Sequence, residues 1–215
     1  MTRPRRFRDR TEAGELLGET LRERDIDADI VLAVPRGSLP LGRAVADELG
    51  VPLDVVVAKK IGAPGNPEYA IGAVASDGSV WRNEEAFRGT GGDEMYFERK
   101  REEEAANARR KAERYRGDRA EPDLSGRTVV VVDDGVATGS TVKACLLRLR
   151  NAGVDRIVLA VPVGPPETVH ELEEMADEVV CLETPESFMG VGQFYERFEQ
   201  VSDEEAMAYL DTGAE

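Results

Sequence analysis

Residues 129–141 read VVVVDDGVATGST, an order that few folds accommodate. Val129, Val130, Val131 and Val132 form a β-branched run without polar interruption, as in a strand covered on both faces. Two carboxylates, Asp133 and Asp134, sit where such a strand ends. Gly135, Val136, Ala137, Thr138, Gly139, Ser140 and Thr141 follow as a loop of small residues that opens into a helical run over 142–149. Strand, small-residue loop and helix start together make an anion site, because unpaired backbone N–H groups converge there with the helix dipole behind them. The hydroxyls of Thr138, Ser140 and Thr141 add donors. The adjacent carboxylates repel a phosphate and so address another group. Two acidic acceptors beside a phosphate cradle suit a sugar diol, such as that of a ribose 5-phosphate.

The flanking sequence sets this unit in an α/β fold. A strand over 29–34, a helix over 39–49 and a second strand over 53–61 read as a βαβ unit with a right-handed crossover. A helix over 12–24 precedes it, with Leu16, Leu17 and Leu21 on one side. Asp77-Gly78 between apolar-rich flanks predicts a hairpin over 69–82. Residues 93–116 predict a long charged helix packed along a stripe of Met95, Tyr96, Phe97, Ala105, Ala108, Ala112 and Tyr115. After a polar connector (117–126) and the motif come a strand over 156–161, a helix over 167–175 and a strand over 178–182. Ser202 and Glu205 form a capping box for a last helix ending near 210. The expected fold is a parallel, doubly wound α/β sheet of about five strands in a single domain over 1–215, with its core at about 26–182. Ligands of such sheets bind beyond the C-terminal strand ends. That rim gathers Pro35-Arg36-Gly37-Ser38, Lys59-Lys60, the motif loop and Pro162-Val163-Gly164.

Charge bears on environment and partners. The net charge is −15, and of 28 bases 23 are Arg and 5 are Lys. Much acid with little Lys fits a salty cytoplasm, where screening relieves self-repulsion. An acidic surface argues against nucleic acid as a partner. The cluster Arg3, Arg5, Arg6, Arg8 and Arg10 reads as a frayed, solvated terminus. No apolar run reaches the length of a membrane span, and the N-terminus lacks a signal-peptide core, so a cytoplasmic protein without a membrane partner is expected. Cys145 and Cys181 read as buried thiols, and His170 as a surface residue.

The motif resembles the phosphoribosyl pyrophosphate (PRPP) binding motif of the type I phosphoribosyltransferases: four hydrophobics, two acids and a T-G-x-T ending. The wider chain, from Phe7 to about Leu210, resembles uncharacterised predicted members that share its Lys-Lys-Ile-Gly and Asn-Pro-Glu segments. The resemblance implies that Asp133 and Asp134 hold the ribose diol and that the loop from Gly135 to Thr141 holds the 5-phosphate. It makes Val34-Pro35-Arg36-Gly37-Ser38 the pyrophosphate loop, with a non-proline cis peptide just before Arg36. It assigns 62–92 to the flexible loop that closes over PRPP, where Glu68 takes the place of a catalytic acid of the adenine-type enzymes. It assigns 183–200 to the acceptor hood.

The residues themselves fit these roles. Arg36 grips phosphate oxygens through a rigid fork, and Gly37 lets backbone approach closely. A chain that otherwise favours Arg sets Lys59 and Lys60 side by side at a strand end, and alternation turns one of them to the rim. Phe188, Phe194 and Tyr195 either stack on a planar acceptor or form a hydrophobic lid over the core. Ala137 stands where the hypoxanthine-guanine enzymes carry an aspartate, which resembles the adenine-type motif instead. Mg²⁺ is expected to arrive with PRPP, bound mainly by its oxygens and water. The small-molecule partners are PRPP and an unidentified acceptor, and a homo-oligomer is expected. A non-catalytic PRPP-sensing protein is the alternative to an enzyme. A hydrolase of a ribosyl phosphate leaves Arg36 and the lysine pair unexplained.

The charge balance makes one prediction of its own. The melting temperature should rise as KCl goes from low to molar concentration; a flat or falling value would remove the salt-adaptation reading.

Overall fold

Five strands form a parallel sheet in the order β2-β1-β6-β7-β8. They are β1 (Ile30–Ala33), β2 (Leu53–Val55), β6 (Thr128–Val132), β7 (Arg156–Val163) and β8 (Glu178–Glu183). The structure, a computed structural model, describes residues 5–211. Register is continuous across the centre: Ala33 pairs with Val55 and Val132, and Val132 with Ala160. The strand ends therefore line up along one rim, and side chains alternate between two apolar layers. Val31, Ala33, Val130 and Val132 face α1 (Arg10–Glu23), α2 (Leu39–Leu49) and α7 (Asp203–Asp211). Ile30, Leu32, Val129 and Val131 face α5 (Ser140–Asn151) and α6 (Pro166–Glu173).

The helix ends carry their expected chemistry. Asp9 caps α1 by accepting from the Glu12 N–H at 3.0 Å, and Ser202 and Glu205 cap α7 reciprocally at 3.1 and 2.8 Å. Gly14 seats α1 on α2: a β-carbon there would lie 2.4 Å from the Leu41 carbonyl oxygen.

The chain departs from the sequence reading after β2. The strand expected over 53–61 breaks at Val56 and Val57. Both valines are buried, but the backbone leaves the parallel sheet and enters a separate antiparallel one. That sheet has the order β3-β4-β5, with β3 (Ala58–Ala63), β4 (Asn66–Ala75) and β5 (Val80–Arg82). The β4–β5 turn lies at Asp77-Gly78 as expected, with Gly78 at φ +94°. Residues 62–92, expected as a closing loop, thus carry regular structure, including a short helix α3 (Glu84–Gly89). They have a core of their own, in which Ile61, Ile71, Val74 and Phe87 meet Phe97 of α4 (Glu94–Arg116). Met95 is 83% exposed and does not belong to the α4 stripe, whereas Phe97, Ala108, Ala112 and Tyr115 are buried. The hood is tied to the chain start. Phe7 donates its N–H to the Phe194 carbonyl at 2.7 Å and accepts from the Glu196 N–H at 2.8 Å.

Candidate functional site

The rim of the parallel sheet opens into a cavity of about 640 Å³. The motif loop forms one wall, Arg36 and Gly37 another, and Lys59, Lys60, Glu68 and Lys111 the side supplied by the antiparallel sheet and α4. Val132 ends β6, so Asp133 and Asp134 emerge at the mouth. Gly139, at φ +65°, turns the loop into α5, whose first-turn N–H groups have no intrahelical partner. Thr138 and Ser140 hydroxyls lie 3.1 Å apart beside it.

The two acids are held differently. Asp133 accepts from the Asp134 backbone N–H at 2.9 Å. Asp134 accepts from Arg10 Nε at 2.8 Å, and its carbonyl accepts from the Tyr195 hydroxyl at 2.7 Å. Burial pushes the Asp133 carboxyl well above the ordinary carboxylate range, and the neighbouring charge of Asp134 adds to the rise. Burial also raises Asp134, against the pull of the Arg10 guanidinium. Both acids therefore carry the cost of a desolvated charge, and only Asp134 has a cation in contact, Arg10 and Lys60 acting on Asp133 from further away.

Arg10 is the correction to the frayed-terminus reading. It is buried, it donates to the Glu199 carbonyl at 2.9 Å, and its guanidinium lies 3.9 Å from the centre of the Phe198 ring. Arg3 lies outside the described residues. Sequence offered one signal for Arg10: it opens α1, where a cation works against the helix dipole and so needs a reason elsewhere.

The loop after β1 closes on the same acids. A β-carbon on Gly37 would lie 2.5 Å from Asp134 Oδ2, so glycine is what lets this loop reach the acid pair. The Pro35–Arg36 peptide is cis. Lys111 donates to the Pro35 carbonyl at 2.9 Å. Its ammonium is lowered to about 8, by burial first and by the charge of Lys59 next. Sequence reading missed Lys111, because nothing in a charged helix marks which lysine faces a cavity. Lys59 and Lys60 both line the cavity, but Lys59 also faces α4, whereas Lys60 also faces a groove with Trp81 and Lys143. Glu68, on β4, lines both the cavity and that groove.

The hood aromatics do not line the cavity. Phe194 and Tyr195 are 4% and 1% exposed. Phe194 stacks on Phe188 at 5.4 Å, and Tyr195 packs against Phe7 and Phe198. These rings build a hydrophobic lid, and neither Phe194 nor Tyr195 offers a free face to a planar acceptor. The hood residue at the cavity is Val191, packed over Gly135, where a β-carbon would come within 2.6 Å of Val191 Cγ1.

A parallel sheet with an acid pair ahead of a small-residue phosphate loop is the plan of the type I phosphoribosyltransferases. The phosphoribosyl transferase domain family matches residues 10–198, and the chain belongs to it. A Mycobacterium tuberculosis protein, provisionally named a phosphoribosyl transferase in strains H37Rv and CDC 1551, is 44% identical over 205 residues. That match covers 95% of this chain and 46% of the relative, so the chain spans about half the length of the relatives it matches. The crystal structure of TT1426 from Thermus thermophilus has 45% identity and a TM-score of 0.81, covering 95% of this chain and 97% of that one.

The unequal support of the two acids predicts opposite mutational effects. Arg10→Met leaves Asp134 buried without its cation and should cost roughly 3 kcal/mol at neutral pH. The deficit should shrink as pH falls, because protonating Asp134 removes the orphaned charge. Asp133 has a raised folded pKa, so its contribution to stability is present at acid pH and lost as pH rises through that pKa. Asp133→Asn should therefore raise the melting temperature at neutral pH and match wild type at acid pH. Melting curves across pH check both. A pH-independent Arg10→Met deficit, or a lower neutral melting temperature for Asp133→Asn, would contradict this account.

Proposed function

We propose that the protein transfers ribose 5-phosphate from PRPP to a nitrogenous base or base-like acceptor and releases pyrophosphate. The observation that carries this reading is the acid pair, which opens onto one cavity with the loop from Gly135 to Thr141 on one side and Arg36 and Lys59 on the other. Asp133 and Asp134 accept from the ribose diol. The α5 N-terminus with Thr138, Ser140 and Thr141 holds the 5-phosphate. Arg36, Gly37, Lys59 and Lys60 bind the pyrophosphate and stabilise its charge as the bond to the anomeric carbon breaks. The acceptor nitrogen then supplies the electron pair for the new bond to that carbon, through an oxocarbenium-like transition state. Catalysis rests on positioning and electrostatics.

Two buried carboxylates at one strand end suit Mg²⁺ that keeps most of its oxygen ligands from PRPP and water, and Asp133 and Asp134 are the side chains that would help hold it. Bound there, the ion would neutralise pyrophosphate charge. With Ala137 in place of a carboxylate, the acceptor proton goes to Glu68, to water or to the substrate. That favours an adenine-like acceptor over hypoxanthine or guanine.

Pyrophosphate release from Mg-PRPP, screened against a panel of bases at high salt, tests the proposal. Acceptor-dependent release is expected, with adenine-like bases ahead in kcat/KM. Glu68→Gln should lower kcat more than it weakens PRPP binding. Tight Mg-PRPP binding without release for any base would instead favour a PRPP-sensing protein.

A further inference from the structure

Beside the donor cavity lies a second cleft, of about 650 Å³, between the pyrophosphate-type loop and α4. Arg36, Lys59, Arg110, Lys111 and Arg114 line it, with Asn107. Residues 107, 110, 111 and 114 fall at i, i+3, i+4 and i+7, so helical spacing gathers them on one face. Asp203 is the only carboxylate of this lining, and it is already engaged, accepting from Arg114 at 2.8 Å and from the Tyr115 hydroxyl at 2.6 Å. Arg114 also approaches Glu204, at 3.7 Å.

The other four cations have no carboxylate in contact, although Asp203 and Asp133 act on Lys111 from a distance. Among the described residues, Arg36, Lys59, Arg110 and Lys111 form no ion pair: Lys111 donates to a backbone carbonyl and Arg110 to the Asn107 side chain. This occurs in a chain of net charge −15, where 43 acids offer partners for every base. Burial lowers the Lys111 ammonium first, and the like charges of Lys59 and Arg36 add to the fall against the pull of Asp203 and Asp133. We infer that this cleft is a second oxyanion site, for a phosphate-class dianion, separate from the donor cavity but joined to it through Arg36, Lys59 and Lys111. Asn107, Arg110 and Arg114 line the cleft and not the donor cavity. The ligand class follows from the cations alone. A use of the site to receive departing pyrophosphate rests on the proposed transfer reaction.

Calorimetric titration of the full chain with inorganic pyrophosphate, and separately with inorganic phosphate, tests the site. Wild type should bind two pyrophosphates. Arg110→Gln, which removes no ion pair, should lose one of the two events or weaken it at least tenfold. Its Mg-PRPP affinity should stay within twofold of wild type. Phosphate binding at the Arg110-sensitive site would identify a general oxyanion site, and pyrophosphate binding alone a product subsite. One pyrophosphate per wild-type chain, or unchanged binding in Arg110→Gln, would overturn the inference. An equal loss of pyrophosphate and PRPP affinity in that variant would also overturn it, because the two clefts would then be one site. Failure of Mg-PRPP to bind wild type would count against the transferase reading and leave the second site standing.

Discussion

Two adjacent carboxylates taken out of water at the end of a buried strand are costly to the fold, and much of the surrounding structure answers that cost. Arg10 reaches from the first turn of α1 to Asp134 across 124 positions of sequence. The same guanidinium rests on Phe198 and binds the Glu199 carbonyl, which draws the C-terminal hood toward the acids. Tyr195 completes the tie through the Asp134 carbonyl. Asp133 has no cation in contact and accepts from a single backbone donor, with Arg10 and Lys60 acting on it from further away. A buried charge left short of partners suits a site that awaits hydroxyl donors from a ligand.

Most cations of the site come from elements outside the central sheet. Arg36 follows β1, Lys59 and Lys60 sit on the antiparallel sheet, and Lys111 belongs to α4. The break in the chain after β2 makes this possible: had the strand run on as one, both lysines would have continued the parallel sheet. Turning at Val56 and Val57 carries them onto a separate sheet that faces the acid pair across the cavity. The lysines and the acid pair then stand on separately packed units.

The parallel core was legible because its strands are unbroken β-branched runs and its helices carry clear spacing and caps, as Asp9 and the Ser202–Glu205 pair do. The sheet switch was not, since Val55, Val56 and Val57 present a continuous apolar run with no glycine or proline to mark the change. β3 and β4 join through Pro64 and Gly65, with Gly65 at φ +73°, and the polar residues after that turn resemble a loop in sequence. The motif loop, Arg36 and the lysine pair could be placed from local sequence. Arg10 and Lys111 could not, because the value of each depends on a partner distant in sequence. The hood aromatics were ambiguous in sequence, and packing against Phe7, in the N-terminal segment, resolved Tyr195 as core.

The role proposed for Asp133 and Asp134 is to receive the ribose diol of PRPP. Calorimetric titration of Mg-PRPP into wild type and into a double Asp133→Asn, Asp134→Asn variant tests it most directly, with circular dichroism to verify that the variant is folded. Loss of two charge-assisted hydrogen bonds should weaken binding by about 3 kcal/mol or more, on the order of 100-fold. A folded double variant that binds Mg-PRPP as tightly as wild type would contradict the account.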